Sequence, residues 1–410
     1  METFSVLNYQ GSKKSLLEFI HENTFEMVKG GSTILDIFSG TCSVGYSYKT
    51  TNRIFANDSE YYSYIISNAL LSSNYVGFFD VINKIEFYYS KNLSQQKDIY
   101  IELKKNEEDL ISSQNVQGLI SLYQNLPTIW NGKIDCSDVH RCYELFITYY
   151  SGTYFGISQS LDIDSLRYAI EQYKGDSVFF ALLTSLFFAM KECVFSKDGH
   201  MAQPLDPNKN QKRLLLLRKK SIYKIFIDKF SEFFDEPFIT SLNKNKVFNM
   251  DFEDLILLPE IKQEVDFIYA DPPYTDMQYS RYYHLLNVVA LYNYPKPTVN
   301  KGQYTKGLYV EGRYQSKLSR KSSCLKQFSK LIKFSYKNKK NLAISFAYPA
   351  NIHNQKTDRY VMNIEDLINY CRNEFTPKNV NVVSHKYQHS NNRNTEQKQV
   401  LEYLIICKGR

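Results

Sequence analysis

The stretch "VDFIYADPPYTDMQYSRYYHLL" places the tightest limit on the fold, because an apolar run stops abruptly at Asp271-Pro272-Pro273-Tyr274. Proline has no backbone N–H to donate to a sheet, so a buried strand has to end before Pro272. An acid, two rigid prolines and an aromatic ring therefore lie at the carboxyl tip of a buried strand. In open α/β sheets, this edge is where ligands bind.

Two earlier apolar runs extend the pattern. "STILDIF" (32–38) is followed by a turn at Gly40 and a helical "VGYSYK", and "RIFAND" (53–58) ends at Asp58 before another helical segment. This order, a strand, a glycine turn, a helix and a second strand that ends in an acid, is typical of the start of a doubly wound α/β sheet. The turn has neither the Gly-Lys-Ser/Thr of a P-loop nor the three spaced glycines of a dinucleotide fingerprint.

Later segments predict the rest of the fold. Strand-like runs resume at "KVFNMDF" (246–252) and "NLAISFA" (341–347), and 379–387 with 400–408 predict a final antiparallel hairpin. Between residues 74 and 244, apolar residues recur every three or four positions, as in helices. We therefore expect a Rossmann-like α/β domain of residues 1–73 and 245–410, interrupted by a mainly helical insertion, 74–244.

Composition narrows the class further. The longest apolar run, 177–190, is too short to span a bilayer and predicts a buried helix, so no membrane partner is expected. Seven scattered cysteines without a C-x-x-C pair argue against a zinc site or a disulfide scaffold; no metal is expected, and reduced thiols favour the cytoplasm.

Positive charge is concentrated in one segment. The net charge of the chain is +7. Residues 298–340 alone contain twelve Lys or Arg and a single acid, Glu311. Such a segment suits a polyanion such as nucleic acid. The alternative is a solvated basic loop with no partner.

The acids after the strands indicate a chemistry. An acid at the end of the second strand, Asp58, is placed to bind a ribose diol, with Ser59 or Asn57 capping the next helix. An amino group conjugated to a base is a poor nucleophile until its hydrogens are accepted by fixed groups. Asp271 and the Pro272 carbonyl supply two such acceptors, and Tyr274 offers a ring on which an extruded base could stack.

These motifs resemble S-adenosylmethionine-dependent DNA adenine-N6 methyltransferases of the Dam-like class. "NYQGSKKSLLEFI" resembles the amino-terminal motif, "DIFSGTCSVG" the glycine motif, "NDSEYYS" the ribose acid and "DFIYADPPY" the catalytic motif. Their order is that of the alpha arrangement, in which the intervening block recognises the target. "QYSRYYHLL" is similar to modification methylases of type IIS restriction systems.

The resemblance implies roles for particular residues. It makes Asp271, Pro272, Pro273 and Tyr274 catalytic. The residues implied to bind S-adenosylmethionine are Tyr9 and Lys13 at its methionine end, Asp36, Phe38, Gly40 and Ser43 along its cleft, Asp58 at its ribose, Asp251 and Phe252 at its adenine, and Asp271. Cys42 departs from the pattern, because the family has a second glycine there; the turn has to tolerate a side chain.

Contacts to DNA are predicted on polar and basic positions. Arg281, Arg313, Arg320 and Lys321 lie in or beside the basic segment, and Gln159, Arg167, Gln203 and Arg213 interrupt helical pattern in the insertion. His284 is expected to start a helix rather than act as a base. The expected partners are double-stranded DNA and a separately encoded restriction endonuclease, in restriction-modification or phage defence, with the enzyme acting as a monomer.

Two alternatives stay open at this point. The same chemistry could act on cytosine N4 in DNA or on adenine in RNA. A catalytically idle DNA-binding subunit is the alternative from another class, and it would be expected to have lost Asp271, Tyr274 or Lys13, all of which are present.

Overall fold

The computed structural model describes residues 13–71, 75, 77–134, 143–197, 200–235, 244–350, 357–387 and 400–409. The chain divides into two compact units. The first comprises residues 1–73, 239–278 and 314–410, and the second comprises 74–238 and 279–313.

A seven-stranded sheet, counted over the described residues, forms the centre of the first unit in the order β3-β2-β1-β4-β7-β9-β8. All of its strands run parallel except β9, which is antiparallel to both of its neighbours. The predicted doubly wound Rossmann-like sheet ending in an antiparallel hairpin is thereby confirmed. The strands of this sheet are β1 (Thr33–Asp36), β2 (Arg53–Asn57), β3 (Lys246–Phe248), β4 (Phe267–Ala270), β7 (Asn341–Pro349), β8 (Val380–Tyr387) and β9 (Val400–Cys407).

The central strands have nearly continuous apolar sequences because helices cover both faces of the sheet. β1 and β4 are buried along their whole length, as expected for parallel strands in this kind of fold. The helices of this unit are α1 (Leu17–Thr24), α2 (Ser43–Tyr48), α3 (Tyr61–Leu71), α12 (Phe252–Leu255), α13 (Pro259–Glu264), α16 (Cys324–Lys337) and α17 (Ile364–Phe375).

The second unit is mainly helical, as the spacing of its apolar residues predicts. Its longest apolar run forms the buried helix α9. Its elements are α4 (Phe78–Ser94), α5 (Asp98–Ser112), α6 (Val116–Gln124), α7 (Leu145–Tyr149), α8 (Ile157–Glu171), α9 (Val178–Cys193), α10 (Gln211–Arg218), α11 (Ile222–Asp235), α14 (Tyr279–Tyr282), α15 (His284–Leu291) and the small hairpin β5 (Val299–Asn300) and β6 (Gln303–Tyr304).

Residues 279–313 lie in a different unit from the one that the sequence suggested. The sequence assigns them to the catalytic domain, because they directly follow its main motif. In the structure they pack with the helical unit: the Arg167 guanidinium, for instance, donates to the carbonyls of Val289 and Ala290. His284 begins α15 and is buried between the rings of Tyr150, Tyr154 and Tyr309.

None of the helices within the described residues combines the length and the apolar character that crossing a membrane requires.

Candidate active site

Three carboxylates lie at the carboxyl edge of the central sheet. Asp36 ends β1, Asp58 follows β2, and Asp271 follows β4. Because β2, β1 and β4 are adjacent and parallel, their ends meet at one edge of the sheet. Three acids far apart in the sequence are therefore brought together where the fold class binds its ligands.

The turn after β1 links two of the predicted cofactor residues. Gly40 has a φ of 52°, and its amide donates to Oδ2 of Asp58 at 2.9 Å. Oδ1 of Asp58 accepts from the amide of Glu60 at 2.9 Å, just before α3. Asp58 therefore holds both the Gly40 turn and the segment that precedes α3. The Asn57 amide donates to the carbonyls of Ile37 and Met250. A cap on α3 from Ser59 or Asn57 stays a prediction.

Cys42 occupies the left-handed region of the backbone with a φ of 57° and precedes the first residue of α2. Its side chain is fully buried, and burial raises the pKa of its thiol to about 12. The turn thus accommodates a side chain where the resembled family has glycine, but in a conformation that costs a non-glycine residue roughly 1–2 kcal/mol.

The acids at this edge are hard to ionise together. The pKa of Asp36 is raised to about 7, mainly by burial and also by the charges of Asp271 and Asp58. The Gly45 amide, which donates to its Oδ2 at 3.0 Å, acts in the opposite direction. Burial likewise raises the pKa of Asp58. A positively charged ligand would relieve this repulsion, so the edge is electrostatically suited to a cation.

Lys13 connects Asp271 to the last strand of the sheet. Its Nζ lies 2.9 Å from Oδ1 of Asp271 and 3.2 Å from Oε1 of Glu402 on β9. The Asp271 side chain is 19% exposed, whereas that of Glu402 is 0% exposed. Glu402 also accepts a hydrogen bond from the Ser345 hydroxyl at 2.5 Å. The ammonium therefore bridges two carboxylates, of which only Asp271 reaches solvent.

These contacts set the ionisation of Asp271. Burial raises its pKa to about 6, while the ammonium of Lys13 acts in the opposite direction and Glu402 adds to the rise. The pKa of Lys13 is raised well above its usual value by both carboxylates, against the lowering effect of burial. At neutral pH, Asp271 is thus an ionised acceptor that is held by a permanently charged lysine.

Glu402 is a contact of this site that the motifs did not reveal. The available signal was an acid in the middle of the otherwise apolar strand "VLEYLIIC". A fully buried carboxylate in a strand needs a charged or hydrogen-bonding partner. Its pairing with Lys13 follows from the antiparallel position of β9 beside β7, which no local pattern encodes.

The ring of Tyr274 is only 9% exposed. It lies 6.4 Å from the ring of Tyr360 and 6.1 Å from that of Phe346, with Lys13 Nζ 5.8 Å from its centroid. The loop that carries it is held by the backbone, since the Val361 amide donates to the Tyr274 carbonyl at 3.2 Å. Stacking of this ring on a base stays a prediction, and it would use the small part of the ring that is open.

The predicted adenine subsite is compact. Asp251 caps α12 by accepting from the Glu253 amide at 2.9 Å, and its other oxygen accepts from the Tyr314 hydroxyl at 3.0 Å. Phe252 and Phe38 pack edge to face with centroids 5.5 Å apart. Ser43 begins α2, with its hydroxyl 3.1 Å from that of Thr41. Tyr9 lies outside the described residues.

Two of the predicted DNA contacts are structural instead, which corrects the sequence interpretation. The Gln159 side chain, 2% exposed, donates to the Leu217 and Lys220 carbonyls, at 2.8 and 2.9 Å. Arg167, 4% exposed, uses its guanidinium on backbone carbonyls and on Glu171 at 2.7 Å. Both groups are engaged in the interior of the second unit, so neither is available to a base or a phosphate.

The other candidates lie at the surface or partly so. Gln203, Arg281, Arg320 and Lys321 are exposed, whereas Arg213 is half-buried and donates to the Ser196 carbonyl at 2.8 Å. Arg281 and Arg313 lie over the Tyr309 ring, 5.2 and 5.1 Å from its centroid. Their contact with DNA stays a prediction.

The basic segment is ordered rather than a simple loop. It contains the hairpin β5–β6 in the second unit and α16 in the first. Along α16, Lys326, Lys330, Lys333 and Lys337 recur every three or four positions, and most apolar residues of the helix are buried, although Leu325 is exposed. Lys330 pairs with Glu253, and Lys333 pairs with Glu374. One side of this helix is therefore a positively charged surface.

A parallel sheet with acids at three adjacent strand ends and an antiparallel strand inserted near one side is the architecture of Rossmann-like methyltransferases, and an acid-lined edge suits their cationic methyl donor. Comparison with known proteins makes the class specific. A sequence profile of the D12 class N6 adenine-specific DNA methyltransferases matches residues 9–359, and the chain belongs to this family.

Individual relatives agree with the family. The chain is 28% identical over 302 residues to the type II methyltransferase M.FokI of Planomicrobium okeanokoites, covering 71% of this chain and 38% of that protein. It is 27% identical over 326 residues to the type II methyltransferase M.NlaIII of Neisseria lactamica, and the match covers 74% of this chain and 75% of that protein. It is 23% identical over 413 residues to the modification methylase LlaI of Lactococcus lactis subsp. lactis, and the match covers 98% of this chain and 55% of that protein. The chain thus spans 38% of the first of these relatives and between half and three quarters of the other two.

Proposed function

We propose that this protein transfers a methyl group from S-adenosylmethionine to the N6 amino group of adenine in double-stranded DNA. The observation that carries the proposal is the Asp271 carboxylate, held by Lys13 at the tip of β4, partly open to solvent and at the same sheet edge as Asp36 and Asp58.

The residues at the sheet edge fit S-adenosylmethionine, which supplies, when bound, a methyl carbon activated by a sulfonium. Its positive charge matches the crowded carboxylates, whose pKa values are raised in the protein alone. Asp58 would hold the ribose hydroxyls, and Phe38 and Phe252 would pack against the adenine. Lys13 would stand near the methionine end. In the structure its ammonium is engaged by Asp271 and Glu402.

Catalysis would rest on orientation. The carboxylate of Asp271 and the carbonyl of Pro272 would accept hydrogen bonds from the two N–H groups of the target amine. That arrangement turns the nitrogen lone pair away from the ring and towards the electrophile, and a fixed proline backbone costs little reorganisation. Lys13 keeps Asp271 ionised for this task. The methylated amine then loses its extra proton to water.

The target base has to leave the duplex to reach Asp271, which costs a few kcal/mol. Exposed cations support the grip on DNA: Arg320, Lys321, Lys326 and Lys337 in the first unit, and Arg281 in the second. We further propose that the enzyme acts as a cytoplasmic monomer beside a separately encoded restriction endonuclease, since its relatives include modification methylases.

The test compares Asp271→Asn with Asp254→Asn, an exposed acid on α12 of the same unit. Each purified variant is incubated with labelled S-adenosylmethionine and plasmid DNA, and the nucleosides are separated by mass spectrometry. We expect N6-methyladenine from the wild type and from Asp254→Asn, and at least a hundredfold less from Asp271→Asn.

Calorimetry with S-adenosylmethionine is the control for folding, because Asp271→Asn should still bind the cofactor. N4-methylcytosine as the product, methylation confined to RNA, or substantial turnover by Asp271→Asn would each overturn the proposal.

A further inference from the structure

A cavity of about 530 Å³ opens within the second unit, between residues 129–132 and the hairpin β5–β6. Its wall contains two aromatic rings, Trp130 and Tyr304, together with the Gln303 amide and the Lys306 ammonium. A volume of this size lies within the range of about 300–1,000 Å³ that is typical of small-ligand sites. None of the cavity's lining residues belongs to the unit that carries Asp271.

The loop that carries Trp130 is fixed by its neighbours. The Asn131 side-chain amide donates to the carbonyls of Tyr123 and Leu126 at 3.1 and 3.0 Å, and the Gly132 amide donates to the Ile129 carbonyl at 3.0 Å. Trp130 itself is half-buried and lines the cavity. This aromatic wall is therefore preformed.

The opposite wall is a tight hairpin. Lys301 and Gly302 have φ values of 51° and 77°, the positive pair that two-residue hairpin turns need, and Val299 pairs with Tyr304. Below the turn, the Thr298 amide donates to the Tyr309 carbonyl at 2.6 Å. Tyr309 is buried, so the hairpin projects from a firm base while Val299 stays 51% exposed and Tyr304 36% exposed.

The chemistry of this wall matches a nucleobase. Flat rings stack on any base, an ammonium is drawn to an electron-rich ring and to the adjoining phosphate, and an amide hydrogen-bonds with a base edge. None of the described residues that line the cavity is acidic, so the phosphate of a nucleotide meets no fixed negative charge there. Apolar side chains alone would suit a lipid or a peptide; the amide and the ammonium favour a base.

We propose that this cavity binds a nucleobase of the DNA, unstacked from its neighbours and different from the adenine that is methylated. The inference rests on the proposed function for the identity of the substrate as DNA. A free mononucleotide offers the same base chemistry, and the experiment below separates the two sources.

Trp130 is the single tryptophan of the chain, so its fluorescence reports on the cavity without any label. The full-length protein is titrated with three probes: plasmid duplex that it methylates, an oligodeoxyadenylate single strand, and dAMP. Saturable quenching by both DNA probes, with protection from acrylamide, is expected. Much weaker quenching is expected from dAMP, because a mononucleotide lacks the remaining DNA contacts.

Variants give an independent readout. Trp130→Ala should weaken DNA binding about tenfold in fluorescence anisotropy, whereas Trp130→Phe should keep most of the affinity because it retains a ring. Lys306→Ala should also weaken binding. Lys105 is an exposed residue on α5 of the same unit and does not line the cavity, so Lys105→Ala should bind DNA as the wild type does. Thermal melts establish that each variant is folded.

Three outcomes overturn the proposal: unchanged Trp130 emission at DNA concentrations that saturate the anisotropy, wild-type affinity in Trp130→Ala, or tighter quenching by dAMP than by DNA. Asp271→Asn keeps the two proposals apart, because it should quench normally while failing to methylate. Methylation without any change in emission refutes the cavity alone, whereas quenching by a wild type that methylates no DNA refutes the proposed function alone.

Discussion

Replacing Glu402 with glutamine removes one negative charge beside Lys13 and keeps the shape of the side chain. Glutamine can still accept from the Ser345 hydroxyl and from Lys13 through its carbonyl oxygen. Asp271 then becomes the sole carboxylate partner of Lys13 among the described groups that the ammonium contacts. Because Glu402 raises the pKa of Asp271, the substitution is expected to lower it.

The size of this shift follows from the geometry. Both carboxylates contact the same ammonium, at 2.9 and 3.2 Å, so their contacting oxygens lie within about 6 Å of each other. At an effective dielectric constant of 20, two charges about 6 Å apart interact by roughly 3 kcal/mol, which corresponds to about two pKa units. Relaxation of Lys13 towards Asp271 changes the local distances, so a shift of about one to two units is the expected range.

The assay is kcat/KM for methyl transfer as a function of pH, because its acid limb reports ionisations of the free enzyme. In the wild type, protonation of Asp271 should reduce kcat/KM as pH falls through about 6. In Glu402→Gln that limb should move towards lower pH. Glu18→Gln, an exposed glutamate on α1, is the matched control and should leave the profile unchanged.

Two results would refute this reasoning. If the acid limb stays in place while the melting temperature falls, Glu402 is only a structural residue. If the limb moves towards higher pH, the sign of the electrostatic argument is wrong.

The remaining predictions concern the cofactor edge, the strained turn and the corrected DNA contacts. Asp58→Ala should raise the Kd for S-adenosylmethionine at least tenfold by calorimetry, since it loses the ribose acceptor and leaves the Gly40 amide unpaired; unchanged affinity would remove Asp58 from the site. Cys42→Gly should melt within a few degrees of the wild type, whereas Cys42→Val should cost about 2 kcal/mol or more, because a β-branched residue is poorly tolerated at a φ of 57°; the reverse order would contradict the assigned backbone. Arg167→Ala should lower the unfolding free energy by about 2–4 kcal/mol by orphaning buried carbonyls, as measured by denaturant unfolding. Arg320→Ala should leave the unfolding free energy unchanged, and it should reduce the slope of log K for DNA binding against log salt concentration by about one. If Arg167→Ala and Arg320→Ala were equally stable, the structural role of buried Arg167 would be rejected.

Local patterns were sufficient to predict the sheet and the acids at its carboxyl edge. A proline pair after an apolar run fixes where β4 ends, and the carboxyl ends of parallel strands have to share an edge. The positions of Asp36, Asp58 and Asp271 follow from those two constraints. The prediction of the final hairpin succeeded for the same reason, because 380–387 and 400–407 are strand-like on their own.

Burial and long-range pairing were beyond local patterns. Polar residues near glycines and amides are typical of surface loops, so Arg167 and Gln159 were predicted to contact nucleic acid. In the structure, each donates to backbone carbonyls inside the second unit. Glu402 is the converse case, because only the position of β9 beside β7 brings this acid to Lys13. Sequence distance hides both cases, because the partners are brought together only by tertiary packing.

The placement of β9 has a consequence for biosynthesis. Lys13 meets its two carboxylates only after residue 402 has joined the sheet, so this ion-pair network joins segments that lie almost four hundred positions apart in the chain. A nascent chain still on the ribosome, or a fragment cleaved upstream of residue 400, lacks the charge that flanks Lys13. The complete ion-pair network around Asp271 therefore forms only once the carboxyl-terminal strand has been made.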